Sequence, residues 1–244
     1  MKKIFLLSLL AISTSLCFSQ SAKKWRGSYL LNGYLKNSSV KEVTLQYTAD
    51  SKLGIISDTL TAAVANGKFS FSGFIDEPFL ATLLINESKI NFFIDPNIID
   101  LTVEEDNQTF DIKGSVTSNE YLEIEALKKG FTKVNELELT KLREKQNNVS
   151  LADIDQTNKL HIRIANLEAQ HDLAALTFSA KEKSSFAVLY EMNNLLDPSH
   201  KYYKKEVCAQ LLRIYSLMPE SLKDTPTGVN VSGKLLMASM NLKF

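Results

Sequence analysis

Apolar and polar positions change rhythm once along this chain, near Gly114. From Gly27 to Lys113 the apolar residues come in short runs. Several alternate at period two, as do Val43, Leu45 and Tyr47, Leu83 with Ile85, and Leu101 with Val103. Turn residues punctuate them at Lys36–Ser39, Ala49–Ser51, Asn66-Gly67, Asp76–Pro78, Asn86–Ser88 and Asp95–Asn97. The pattern predicts eight strands: Ser28–Leu35, Val43–Thr48, Ile55–Val64, Lys68–Ile75, Leu80–Ile85, Ile90–Ile94, Ile98–Val103 and Phe110–Ile112. Strands of this length and spacing imply an antiparallel sandwich or a strongly curled sheet. Asn66-Gly67, with Val64 before it and Phe69, Phe71 and Phe74 after, predicts a half-buried antiparallel hairpin, because both turn residues tolerate positive φ.

From Thr117 onward the apolar period becomes helical. Thr117-Ser118-Asn119-Glu120 predicts a capping box. Ile124, Leu127, Phe131, Val134, Leu137 and Leu142 then form one stripe, with Gly130 a weak point inside it. Further helices are predicted over Asp153–Ser179, Ser184–Leu196 (stopped by Asp197-Pro198), Lys201–Leu217 and, after a turn at Thr225–Gly228, Ser232–Met240. The predicted fold class is α+β: an antiparallel β-sandwich-like domain over residues 20–115, then a helical bundle or layer over 116–244. No internal repeat or low-complexity tract is present.

The chain opens with Met1-Lys2-Lys3 and an apolar run, Ile4–Leu16, too short for a membrane span of ~20 residues. Residues 1–19 are therefore expected to be a cleaved signal peptide, with Gln20 the mature terminus and a periplasmic or envelope address. Leu16 and Thr14 stand where a lipoprotein signal wants a small residue and leucine, so a lipid anchor on Cys17 is not expected. Losing Lys2 and Lys3 leaves 26 basic against 28 acidic residues, a balance with no nucleic-acid footprint. Lys23-Lys24-Trp25-Arg26 reads as a solvated terminus. Cleavage also leaves one cysteine, Cys208, so the chain has no Cys-x-x-Cys for dithiol chemistry.

Candidate chemistry is sparse. His161 and His171 are ten residues apart on one predicted helix and face different ways; with His200 they read as solvated helix residues, not zinc ligands. His171-Asp172 are helical neighbours, which do not face each other. Cys208 lies between Val207 and Ala209 and reads as a buried thiol, its alternative being a cross-link to another protein. Glu104-Glu105-Asp106 lacks a calcium-loop pattern and reads as a solvated turn. Sequons at Asn37, Asn86, Asn107, Asn148 and Asn230 carry little weight behind a bacterial-type leader. No catalytic, cofactor-binding or metal residue is assigned, no cofactor is expected, and the chain reads as a non-enzyme.

The order of the motifs resembles the non-catalytic N-terminal region of secreted bacterial thiol-disulfide oxidoreductases that end in a thioredoxin-like domain. Gly67-Lys68-Phe69-Ser70-Phe71-Ser72-Gly73 and Asp76-Glu77-Pro78 match its hairpin and acidic-proline step, and Phe92-Phe93-Ile94-Asp95-Pro96 its next step. Ile112–Tyr121 is similar to its passage into helices, with the asparagine shifted by one place. Lys183–Phe186 through Leu195-Leu196, and Leu217–Thr225 with Gly228, resemble its helical segments. The likeness covers nearly all of the mature chain. The family's thioredoxin-like domain would begin just after Phe244, so the chain is expected to be a truncated piece or a stand-alone accessory region.

Two functional expectations follow. One is an interaction module that positions, dimerises or recruits partners for a thioredoxin-like domain. The other is an envelope protein binding a glycan, peptide or lipid in a cleft lined by Trp25, Tyr29, Tyr34 and Tyr47; core packing is the simpler reading of these aromatics.

Overall fold

The computed structural model describes residues 25–37, 39–51, 54–149, 153–182, 185–196 and 205–241. The expected leader with Cys17, the expected mature terminus Gln20, Lys23-Lys24, the Lys183-Ser184 step, the expected stop at Asp197-Pro198, His200 and the predicted helix start at Lys201 lie outside the described residues.

Eight strands come first: β1 (Gly27–Leu35), β2 (Glu42–Ser51), β3 (Gly54–Ala63), β4 (Lys68–Ile75), β5 (Phe79–Ile85), β6 (Ser88–Ile94), β7 (Ile98–Val103) and β8 (Phe110–Lys113). They form two four-stranded sheets, ordered β4-β1-β7-β8 and β3-β2-β5-β6. All pairs are antiparallel except β1 with β7. Inward residues alternate along each strand. In β1, Tyr29, Leu31 and Leu35 are buried while Leu30 and Tyr34 are exposed. Gly33 shares the inner face because the Phe69 ring lies on it: a Cβ there would sit 1.9 Å from Phe69 Cζ.

The predicted hairpin around Asn66-Gly67 is only a turn. Asn66 (φ 54°) and Gly67 (φ 74°) adopt it, and Ala65 and Lys68 exchange hydrogen bonds of 2.9 and 3.0 Å. Beyond that bridge the strands part: β3 pairs β2, and β4 pairs β1 in the other sheet. The turn is tied sideways instead, with Gly67 C=O accepting from Leu35 N–H and Lys41 C=O from Val64 N–H. It therefore carries the chain from one sheet to the other.

Seven helices follow among the described residues: α1 (Val116–Val134), α2 (Glu136–Asn148), α3 (Ile154–Glu182), α4 (Phe186–Leu195), α5 (Lys205–Ser216), α6 (Glu220–Lys223) and α7 (Pro226–Asn241). The architecture is thus α+β, a sandwich followed by a helical layer. α4 is apolar nearly all round, with Phe186, Ala187, Val188, Leu189, Met192 and Leu195 buried, as befits the centre of the layer. The layer packs on the β3-β2-β5-β6 sheet. β6 shows how: Phe92 points into the sandwich core, while Phe93, next to it, joins the helical core with Trp25, Ile124 and Phe186.

Three helical expectations are corrected. The N-cap of α1 is Ser115, not Thr117: Ser115 Oγ accepts from Ser118 N–H at 3.0 Å, and Thr117 is buried in the first turn. The single stripe from Ile124 to Leu142 is interrupted at Asn135, whose φ and ψ of −109° and 13° separate α1 from α2. Its side-chain Nδ2 lies 2.7 Å from His171 Nε2 on α3, so a tertiary contact fixes the break. The break resets the phase, leaving Val134 and Leu137 exposed while Leu139 and Leu142 pack on Ile164. Finally, Thr225-Pro226-Thr227-Gly228 is not a turn before a short helix. Thr225 Oγ1 caps Gly228 N–H at 3.1 Å and Pro226 takes the first helical position, so α7 begins there.

Candidate functional site

Chemistry-bearing side chains gather where the helices meet the sheet. β6 is an edge strand, so Phe93 turns its backbone polar groups outward. Ser118 Oγ accepts from Phe93 N–H (2.7 Å) and donates to Phe93 C=O (3.1 Å); Ser115 Oγ donates to the same carbonyl (3.1 Å). Asp95, just after β6, accepts from Thr117 N–H at 3.0 Å. Two serines and an aspartate at the positive end of α1 thus stand in for a missing strand.

A second tie lies between β4 and β5. Glu77 is buried and accepts from Thr227 Oγ1 (2.6 Å) and Thr227 N–H (3.0 and 3.2 Å). A carboxylate from the sandwich therefore neutralises the N-terminus of α7, 150 residues away in sequence.

Deeper in the helices, Lys128 of α1 bridges Glu125 of the same helix (2.9 Å) and Glu191 of α4. Glu191 keeps only 5% of its side chain exposed. Burial opposes the Lys128 charge, but the carboxylates outweigh it and raise its pKa. Burial also raises Glu191 and Asp172 above the usual carboxylate range, with Lys128 offsetting part of the effect. Tyr121 and Tyr190 flank the cluster, both raised by burial, their rings edge-on to Phe93 at 5.3 and 5.0 Å. The arrangement suits holding three helices together: its one cation is already paired. Nothing in the sequence pairs the two: Lys128 looks like one solvated charge among several, and Glu191 is the lone charge of an apolar helix.

The helical layer also presents apolar surface. A groove of about 620 Å³ runs between α1 and α3, lined by Leu127, Gly130, Phe131, Val134 and Phe178. It continues through Leu127 and Phe178 into a hollow of about 300 Å³ reaching Ile124 and Val188. Phe178 is 53% exposed and Val134 80%. A Cβ on Gly130 would meet nothing, so this glycine widens the groove without being needed for packing. α7 shows a similar stripe, with Val229, Leu236, Met237 and Met240 exposed at helical spacing.

The residues weighed from sequence scatter. His161 is exposed on α3, with Nδ1 3.2 Å from Gln146 Nε2. His171 is buried rather than solvated, placed by Asn135. Among the described residues no group of histidine, cysteine and acidic side chains is arranged to hold a metal. Cys208 is 1% exposed and burial raises its thiol pKa, so it is neither accessible nor a thiolate at neutral pH. Asp106 caps its own turn, accepting from Thr109 Oγ1, Gln108 N–H and Thr109 N–H, which lowers its pKa, and Glu104 pairs with Lys36. Asn86 and Asn107 sit in turns with φ of 54° and 56°. The four aromatics do not share a cleft. Trp25 packs on Phe186 in the helical core; Tyr29 and Tyr47 contact Phe79 in the sandwich core; Tyr34 lies on the outer face. No helix among the described residues is long and apolar enough to cross a membrane.

Residues 29–121 match the sequence model of a family described as a domain of unknown function (DUF4369). The match takes in the sandwich and ends at Tyr121, in the first turns of α1. No curated protein matches the chain. Among solved structures it is similar to a crystal structure described as "a putative cell adhesion protein from Bacteroides ovatus ATCC 8483", at 14% identity and a TM-score of 0.25. That likeness covers 37% of this chain, and the chain spans 44% of that protein's length.

Proposed function

We propose that this chain is an exported, non-catalytic interaction module of the cell envelope that positions a thioredoxin-like partner. The observation that carries the reading is the apolar groove between α1 and α3, floored by Leu127 and Phe131 and opened by Gly130. A glycine inside an exposed helix costs ~1 kcal/mol against alanine, and here no packing requires it. A groove that accepts an apolar ridge from a partner gives that cost a purpose. The thioredoxin-like identity of the partner rests on the motif resemblance. The motifs themselves serve construction: Gly67 makes the crossing between sheets, Glu77 caps α7 and Ser115 starts α1.

The test is direct. The full mature chain is titrated with a thioredoxin-like oxidoreductase encoded beside it, by sedimentation or calorimetry. A complex is expected that Gly130→Arg and Phe178→Asp both weaken about tenfold or more while the melting temperature holds. No complex at high micromolar concentration, or one indifferent to both substitutions, overturns the reading. The intact mass of the native protein completes it: a mass near that of residues 20–244 means a partner in trans, and one larger by a thioredoxin-like domain means a partner in cis.

A further inference from the structure

On a different side of α3 from the partner groove lies a second cleft, of about 440 Å³, between α3, α4, α5 and the turn after α5. That volume is within the ~300–1,000 Å³ of small-molecule sites. Its walls are apolar, from Val188 on α4 to Ile214 and Met218. Four polar side chains share it, Gln210 of α5 among them. Thr177 and Lys181 stand one helical turn apart on α3, and Arg213 faces them from α5. The Thr177 hydroxyl oxygen is buried and has no hydrogen-bond partner. Neither Lys181 nor Arg213 has an ion-pair partner among the described residues. Both lie in the last turn of their helices, where the dipole's roughly half charge offsets only part of each cation.

An apolar hollow with an unused hydroxyl and two unpaired cations has a definite complement: an anion on an apolar stem. A guanidinium and an ammonium hold a carboxylate by charge-assisted hydrogen bonds, Thr177 has a donor to add, and the chain lies against Val188, Ile214 and Met218. We propose that the cleft binds a free fatty acid of medium chain length, head group at Lys181 and Arg213. The site meets the hollow beside the partner groove only at Val188 and stands whether or not a thioredoxin-like partner is found.

The test uses the mature protein and sodium decanoate, below its micelle concentration, by calorimetry and thermal shift. Saturable one-to-one binding with a rise in melting temperature is expected. Decanol is expected to bind at least about tenfold more weakly, as is decanoate to Arg213→Gln or Lys181→Gln. Both cations are exposed, so these variants are expected to melt within a few degrees of the parent. Thr177→Val tests the third contact and should weaken binding several-fold. The proposal falls if decanoate does not bind at millimolar concentration, if decanol binds equally well, or if the charge variants bind as the parent does. An apolar peptide with a free C-terminal carboxylate is the control for the other bearer of this chemistry; binding of the peptide with none of decanoate also overturns it.

Discussion

The sandwich and the helical layer solve the same problem with different materials. The core between the sheets is apolar throughout, built by alternation along β1, β5, β6 and β7. None of the buried polar residues among the described residues lies in a strand; they sit at the junction, as Glu77, Asp95, Ser115 and Ser118 do, or in the helical layer, as His171 and Glu191 do. Apolar packing tolerates neighbours of roughly the right shape, whereas a buried charge tolerates only its partner. The sandwich is therefore held by volume alone, and the layer by volume together with buried pairs.

The sharpest way to break that contrast is at two adjacent residues. Phe92→Ala and Phe93→Ala should each cost about 3–5 kcal/mol, since each empties a fully buried phenylalanine site. The damage should differ. Hydrogen exchange should show Phe92→Ala exposing the strands, while Phe93→Ala exposes α1 and α4 and leaves β1 and β7 protected. Equal loss in both layers would mean they unfold as one unit.

Lys128→Met comes next. It leaves Glu191 buried without its cation and should cost about 3 kcal/mol by denaturant titration. Lys128→Met with Glu191→Leu should recover most of it, because a buried pair is readily replaced by apolar residues. Failure of the double variant to recover would show that the pair contributes more than relief of its own desolvation.

The same cluster predicts a pH dependence. Burial lifts Glu191 and Asp172 above their ordinary values of 4.5 and 3.8. The fold thus holds these protons more tightly than the unfolded chain. Their contribution is fully present below about pH 4 and is lost as the pH rises through the raised values. Lys128 limits the loss, so Lys128→Met should steepen the fall in melting temperature from pH 4 towards neutrality.

Smaller effects test the junction. Glu77→Ala leaves Thr227 without its acceptor and should cost about 1–3 kcal/mol, read as loosened exchange in α7. Ser115→Ala removes the cap of α1 and should cost about 1 kcal/mol.

These sites also mark where the sequence stops being legible. Lys68–Ile75 and Ile98–Val103 are strands with the boundaries read from alternation and turns alone. Alternation says which face of a strand is buried, but not which strand lies beside it. Asn66-Gly67 therefore suggested a hairpin where the chain changes sheets. The end of α1 was hidden because its cause, His171, is 36 residues from Asn135. Lys128 and Glu191 are 63 apart, the one in a charge-rich helix and the other the lone charge of an apolar one. The start of α7 was within reach: threonine followed by proline is a cap and first-turn signature. The cleft at Thr177, Lys181 and Arg213 was not, since it exists only once α3 and α5 lie side by side.

The paired serines on Phe93 have one more consequence. A sheet edge is a template on which a stray strand, from a sister molecule or an unfolded neighbour, polymerises. At β6 the hydroxyls of Ser115 and Ser118 already occupy the groups such a strand would seize. Growth of a fibre over the Phe93 end of this margin requires α1 to be peeled away first, so resistance to runaway assembly there is set by how firmly a helix, not a strand, is anchored.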